Sequence, residues 1–153
     1  MRAREHHAVP LIDVLTGRSF DPESQIEEIL DLLGRHYDNV DEGKVRGALD
    51  LALEIHADQK RKDGQPYIVH PLAVARTCAE YWMSDVSVAS ALLHDTLEDA
   101  DKEVGLTQDV IAERFGADVG RIVMGVTKLD KIEKDLSEGA GDLRVETLKK
   151  LLR

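Results

Sequence analysis

The sequence predicts an all-α protein folded as one irregular helical bundle. Apolar residues recur three and four positions apart through most of the 153 residues, which is the period of an amphipathic helix. Aromatic residues, which favour strands, are sparse, with 2 Phe, 3 Tyr and 1 Trp. A hydrophobic fraction of 42% is enough for one core, so we expect a single domain, residues 23–153, behind a weakly ordered N-terminal extension, residues 1–22.

Two amphipathic helices are predicted in the first part of the chain. Pro22 suits a first helical turn, so the first helix is expected over about 23–37. The second is expected from Asp41 through Lys60, because its apolar stripe continues until the turn-forming sequence D-G-Q-P.

Five more helices bring the expected number to about seven. Most begin at a proline or a small polar residue that can satisfy the free amides of a first turn. They are expected over about 71–82, from Ser84 or Asp85 onward, from Thr107 to Gly116, over about 117–129, and from Leu143 to Arg153.

Composition argues against several functions. With 20 basic and 30 acidic residues the formal net charge is −10, which argues against binding nucleic acid through its phosphates. No apolar run approaches the roughly 20 residues that cross a bilayer, and no signal-peptide core is present. The single cysteine, Cys78, cannot form an internal disulfide. We therefore expect a cytoplasmic protein that binds neither nucleic acid nor membrane.

An apolar run in the fourth helix, V-S-V-A-S-A-L-L, ends in four ionisable residues: His94, Asp95, Glu98 and Asp99. On an uninterrupted helix residues four apart share a face, so His94 would lie over Glu98 and Asp95 over Asp99. Burying three carboxylates together is costly unless a cation compensates their charge. The pattern therefore indicates a metal site, while a solvated helix end is the alternative.

His70 strengthens the metal interpretation. The residue before a proline is pushed towards extended geometry, which would hold His70 at the start of the third helix, near its positive end. That position favours a neutral imidazole, and mixed imidazole and carboxylate ligands suit manganese, iron or zinc better than magnesium or calcium. Alone, His70 could equally be a capping or core histidine.

Three consecutive cations, Lys60, Arg61 and Lys62, lie shortly before His70. In a chain of net charge −10 they would provide local attraction for phosphate, and the arginine could stack on a base. The alternative is that they only complement the negative end of the second helix.

The four other histidines receive no functional assignment. His56 lies on the apolar stripe of the second helix and is expected to be a hydrogen-bonded core residue. The remaining three, expected to be solvated, are His6, His7 and His36.

Together these motifs resemble the hydrolase domain of the Rel/SpoT family, long bifunctional enzymes that make and destroy guanosine tetra- and pentaphosphate in the bacterial stringent response. The resembling blocks are H-A-D-Q-K-R-K-D-G-Q-P-Y-I-V-H-P at 56–71, A-L-L-H-D-T-L-E-D at 91–99, F-G-A-D-V at 115–119 and G-V-T-K-L at 125–129. The resemblance implies a helical fold of the HD type, together with synthetase and regulatory domains elsewhere in the parent protein.

The resemblance also implies the metal ligands. His70, His94 and Asp95 would be three of four, with Mn²⁺ expected and Fe²⁺ or Zn²⁺ as alternatives. The family's fourth ligand is an aspartate in a later segment similar to K-L-A-D-R-L-H-N, which residues 1–153 do not contain. We therefore expect a domain truncated before its fourth ligand, with weak or absent hydrolysis by this chain alone.

The implied activity is hydrolysis of the 3′-pyrophosphate of guanosine tetra- or pentaphosphate to GDP or GTP plus pyrophosphate. Glu98 and Asp99 would position or deprotonate the attacking water, and Arg61 and Lys62 match residues that face the nucleotide. Two alternatives remain open: a non-catalytic, nucleotide-binding regulatory module, and an HD phosphohydrolase that acts on another nucleotide.

Overall fold

The computed structural model describes residues 11–12 and 19–138, and within them seven α-helices form one bundle. The helices are α1 Pro22–His36, α2 Glu42–Ile55, α3 Val69–Glu80, α4 Asp85–Leu93, α5 Thr96–Asp99, α6 Gln108–Phe115 and α7 Ala117–Glu138. A 3₁₀ turn at Lys102–Val104 lies between α5 and α6. Two-residue strands, β1 Leu11–Ile12 and β2 Ser19–Phe20, pair antiparallel before α1. The predicted all-α class is confirmed.

Helix α4 lies at the centre of the bundle, in contact with α2, α3 and α7. Its sequence is apolar on every side, and Val88, Ala89, Leu92 and Leu93 are fully buried. Burying a valine or leucine side chain stabilises a fold by roughly 1.5–3 kcal/mol. The core therefore fixes the C-terminal end of α4, where the ionisable residues begin. None of the described helices is long and apolar enough to cross a membrane.

The starts of α1 and α6 agree with the capping residues in the sequence, whereas Ser84 makes no capping hydrogen bond and α3 begins at Val69 and not at Pro71. The Asp21 carboxylate accepts a hydrogen bond from the Glu23 amide, and Pro22 occupies the first turn of α1. The Thr107 hydroxyl accepts from the Val110 amide at the start of α6 in the same way. These side chains satisfy amides that have no partner within their own helix.

Two predicted helix ends are wrong. The second helix ends at Ile55 rather than Lys60, because the chain turns back on itself from His56 onward. The sixth predicted helix continues past Leu129 to Glu138, since no proline or glycine interrupts 130–138. The predicted helix from Leu143, and most of the predicted extension 1–22, lie outside the described residues.

Candidate metal centre

The central helix breaks where its ionisable residues begin. Helix α4 ends at Leu93, and α5 starts at Thr96, so His94 and Asp95 form a turn between them. Side chains compete with the backbone here: His94 Nδ1 donates to the Ala91 carbonyl at 2.6 Å, and the Thr96 hydroxyl donates to the Leu93 carbonyl at 2.7 Å. The uninterrupted helix predicted through this segment is therefore wrong.

The break changes which side chains meet. The predicted pairs were His94 with Glu98 and Asp95 with Asp99. The structure instead forms two groups that share Asp95: one joins it to His70 and His94, the other to Glu98 and Asp130. Within each group the potential ligand atoms all lie within 4.8 Å of one another.

His70 reaches this centre from the first turn of α3, and the prediction of extended backbone for it is wrong. Helix α3 begins at Val69, and the His70 amide donates to the Tyr67 carbonyl at 3.0 Å. Helical geometry is tolerated because Pro71 falls in the first turn, where its missing amide costs no helical hydrogen bond.

The first group, His70, His94 and Asp95, has the geometry of a three-ligand cation site. His94 Nε2 lies 3.1 Å from His70 Nε2 and 2.9 Å from Asp95 Oδ2, and His70 Nε2 lies 3.7 Å from the same Oδ2. Ligand atoms about 2.0–2.2 Å from a common ion, at tetrahedral or octahedral angles, are about 2.8–3.6 Å from one another. Two of the three separations fall within this range and the third exceeds it by about 0.1 Å, so two imidazole nitrogens and a carboxylate oxygen here fit a divalent transition-metal ion.

Neighbouring groups fix the orientation of two of these ligands. Because a carbonyl can only accept, the bond to Ala91 keeps a proton on His94 Nδ1, so that the neutral imidazole would present its Nε2 lone pair to the centre. The Tyr67 hydroxyl donates to Asp95 Oδ2 at 2.5 Å, and burial, the main cause, raises the pKa of Tyr67 so that it keeps this proton. Asp95 itself is buried.

The pKa shifts of two of the three ligands suit metal binding. Burial lowers the pKa of His70, and the neighbouring positive charges of His94 and Arg61 lower it further, so a neutral imidazole is favoured. Burial alone would raise the pKa of Asp95, but hydrogen bonds from His94 and Tyr67 outweigh it and lower the pKa. Burial alone would lower the pKa of His94, but its hydrogen bonds to Asp95 and Ala91 outweigh burial, so the pKa is raised. The raised pKa favours a second proton on His94, at Nε2, and a cation bound between the two imidazoles would displace this proton.

The carboxylates beside this centre form what we call the acidic wall: Glu98, Asp99 and Asp130. Glu98 is exposed and forms an ion pair with Lys134 of α7. Burial raises the pKa of Asp99 and of Asp130 above the usual range, and the negative charge of Asp95 adds to both shifts. Asp99 turns towards His56, whose Nδ1 lies 3.7 Å from its Oδ2.

Asp130 was absent from the sequence predictions. It lies on α7, close to Asp95 and Glu98 of the preceding elements. Its only sequence signal is that Asp130 and Lys134 share one helix face. Nothing in the sequence shows that this face packs towards α5.

The acidic wall borders a cleft of about 610 Å³. The cleft is lined by Gln59, Lys60, Tyr67, Asp95, Glu98, Asp99, Asp130, Glu133, Lys134 and Ser137.

The cationic turn, Lys60–Lys62, begins at the edge of this cleft, which Lys60 lines together with Tyr67. The Arg61 amide donates to the Gln65 carbonyl at 2.7 Å, and Gly64 adopts a positive φ of 86° that closes the turn. A second pocket, of about 480 Å³, opens here and is lined by Lys60, Arg61, Lys62, Asp63, Tyr67 and His70. The last turn of α2 contains no basic residue, and Lys60–Lys62 follow the end of that helix at Ile55.

Comparison with known proteins places this arrangement in a family. A model of the HD domain matches residues 48–153, and the chain belongs to the HD domain family. The predicted HD-type bundle is therefore confirmed.

The similar curated proteins are of the Rel/SpoT type, which confirms the resemblance. The guanosine-3′,5′-bis(diphosphate) 3′-pyrophosphohydrolase of Aquifex aeolicus is 47% identical over 122 residues, 80% of this chain and 17% of the relative. The GTP pyrophosphokinase of Myxococcus xanthus is 32% identical over 145 residues, 95% of this chain and 18% of the relative. The probable GTP pyrophosphokinase of Mycobacterium leprae is 48% identical over 88 residues, 58% of this chain and 11% of the relative. The chain thus spans less than a fifth of these relatives.

Proposed function

We propose that this domain hydrolyses guanosine tetra- and pentaphosphate at the 3′-pyrophosphate, releasing GDP or GTP and pyrophosphate. The observation that carries the proposal is the position of the His70–His94–Asp95 group between a cationic pocket and an acidic cleft, with Tyr67 lining both. Cations attract a polyphosphate, while carboxylates activate water. The name of the Aquifex aeolicus relative supports the same reaction.

The reaction adds a water oxygen to the phosphorus attached to the 3′-oxygen and breaks that phosphorus–oxygen bond. The 3′-oxygen leaves and takes up a proton, while the water loses one. Asp99 is well suited to accept the proton from water, because burial raises the pKa of its carboxyl group while it still lines the cleft. Glu98, more exposed and paired with Lys134, orients the water beside it.

His70, His94 and Asp95 would hold the metal ion. Two imidazole nitrogens and one carboxylate oxygen favour Mn²⁺ or Fe²⁺, with Zn²⁺ as the third choice. A divalent ion bound there supplies Lewis-acid polarisation of a phosphoryl oxygen and makes nearby water more acidic. The buried bond from Tyr67 keeps the Asp95 carboxylate oriented towards the two imidazoles.

Arg61 and Lys62 would bind the nucleotide. Both are exposed and line the cationic pocket next to His70, so a phosphate bound by them would lie within reach of the metal group. A guanidinium can also bind two phosphate oxygens at once or stack on a base, which a lysine cannot do.

A turnover assay tests the proposal directly. The chain is loaded with Mn²⁺ and incubated with guanosine tetraphosphate, and nucleotide and pyrophosphate are separated by anion-exchange chromatography. GDP and pyrophosphate in equal amounts support the proposal, and we expect slow turnover, because the described residues bring three ligand groups together. Cleavage of deoxynucleoside triphosphates or cyclic nucleotides but not of guanosine tetraphosphate would overturn it. Tight binding of guanosine tetraphosphate that does not depend on Mn²⁺, without any cleavage, would instead indicate the regulatory module.

A further inference from the structure

His56 is a buried polar residue to which the reaction described above gives no part. It caps the C-terminal end of α2, and its side chain has 0% of its surface exposed. Nδ1 lies 2.7 Å from the Gln59 side-chain oxygen, an acceptor, which places the imidazole proton on Nδ1. Nε2 is buried and has no hydrogen-bond partner among the described residues.

That environment is unfavourable for a residue that only fills space. An unpaired polar atom in the core costs stability, so an apolar side chain of similar volume would suit the position better. The imidazole must therefore be explained by what its other nitrogen contacts.

The other nitrogen, Nδ1, faces the acidic wall. It lies 3.7 Å from Asp99 Oδ2, so a shift of about 0.7 Å would let Asp99 share the Nδ1 proton that Gln59 accepts. The ring of His56 also packs against the ring of Tyr67, with centroids 4.6 Å apart, and Tyr67 in turn donates to Asp95. His56 thus contacts both the carboxylate that would take the proton and the tyrosine that orients a metal ligand.

We infer that His56 is a positioning residue that holds the Asp99 carboxylate in the orientation needed to accept a proton from water. The inference rests on the proposed function. Gln59 fixes the imidazole from one side, and the turn at the end of α2 brings Gln59 there, since its amide donates to the His56 carbonyl at 3.0 Å. The Nδ1–H that Gln59 accepts then has Asp99 Oδ2 as a second, more distant acceptor, and the buried ring holds it in a fixed direction.

Two substitutions separate positioning from packing. His56→Phe retains an aromatic ring against Tyr67 but removes the donor, and His56→Asn retains a donor close to the place of Nδ1 but removes most of the ring. Both are made in the full chain loaded with Mn²⁺, and kcat and KM for guanosine tetraphosphate are measured together with Mn²⁺ affinity and melting temperature. Asp99→Asn and the double variant His56→Phe/Asp99→Asn complete a cycle.

Positioning predicts a specific pattern. His56→Phe lowers kcat by about 10–100-fold, the usual effect of removing an orienting partner, and leaves KM and Mn²⁺ affinity within about twofold. His56→Asn recovers most of the lost rate although it packs less well. The double variant is no slower than Asp99→Asn alone, because the two residues act as one unit. A His56→Phe variant with unchanged kcat, or an additive double variant, would overturn the inference.

A measurement without turnover keeps this inference separate from the proposed function. The side-chain ¹⁵N resonances of His56 are recorded in the chain itself, in Asp99→Asn, and in the control Asp118→Asn, whose carboxylate pairs with Arg121 on α7. A protonated Nδ1 whose signal moves only in Asp99→Asn supports the contact even in a chain that hydrolyses nothing. The inference is overturned, even in an active enzyme, if Nε2 carries the proton or if the His56 resonances are unchanged in Asp99→Asn.

Discussion

The cationic turn and the acidic wall flank the same His70–His94–Asp95 group but are built differently. Lys60–Lys62 are exposed side chains on a short turn held by backbone hydrogen bonds. The wall residues lie on the helices α5 and α7, and Asp99 and Asp130 are half-buried, with raised pKa values. Exposed charges on a turn can adapt to a flexible polyphosphate, whereas helix-borne carboxylates hold fixed positions. In the proposed reaction, nucleotide binding by Arg61 and Lys62 would therefore be separated from water activation by the acidic wall.

The largest expected effect comes from removing the group that both sides share. His94→Ala deletes one imidazole ligand, so we expect Mn²⁺ binding to be lost and turnover to fall on the order of a thousandfold. Helix content should remain, because the core residues of α4 end at Leu93. Mn²⁺ binding is measured by electron paramagnetic resonance and helicity by circular dichroism.

His36→Ala is the matched control, since His36 is an exposed histidine at the end of α1 that stacks on Trp82. It should bind Mn²⁺ normally. Equal Mn²⁺ affinity in His94→Ala and His36→Ala would contradict the metal assignment.

The next largest effect separates two carboxylates of the wall. Asp99→Asn should lower kcat by about 10²–10³-fold, within the usual range for a general base, while Mn²⁺ affinity changes little. Glu98→Gln should lower it by only about tenfold, because Glu98 is exposed and already shares its charge with Lys134. Steady-state kinetics of both variants test whether kcat falls further in Asp99→Asn than in Glu98→Gln.

Glu113→Gln, on the exposed side of α6, controls for the loss of one negative charge. A larger loss in Glu98→Gln than in Asp99→Asn would reverse the roles proposed for the two residues.

These contrasts also show which parts of the molecule could be predicted from sequence. Helix periodicity is a local property, so α1 and α6 were predicted nearly to the residue from caps and apolar stripes. The motif residues His70, His94 and Asp95 do come together. The break at His94 depends on side chains bonding to carbonyls of the preceding turn, which periodicity does not reveal. The position of Asp130 beside Asp95 depends on how distant helices pack, so no local pattern could indicate it.

A smaller effect is expected on the cationic side. Arg61→Ala should raise KM by about tenfold and leave kcat nearly unchanged, because one charged contact to phosphate is lost and the water-activating residues are untouched. KM of the variant should also depend less on salt, since fewer charges are screened. Kinetics at several salt concentrations measure both quantities.

Arg121→Ala removes an exposed cation that pairs with Asp118 on α7, far along the chain from the turn, and it should leave KM unchanged. Equal KM values for the two variants would show that Arg61 does not bind the nucleotide.

The smallest effect concerns the stability of the wall. The pKa of Asp130 is raised by burial and by the charges of Asp95 and Glu98, so its ionised form is disfavoured in the fold. The stabilisation from its protonated form is present below the unfolded pKa of about 3.9 and is lost as pH rises through the folded value. Metal-free Asp130→Asn should therefore melt a degree or two above the wild type at pH 7, with a smaller difference near pH 4. Saturating Mn²⁺ should reduce the difference at pH 7, because the cation offsets the repulsion among these carboxylates. Calorimetry at the two pH values, with and without Mn²⁺, measures these differences, and a variant less stable than the wild type at pH 7 would show that Asp130 is not repelled by its neighbours.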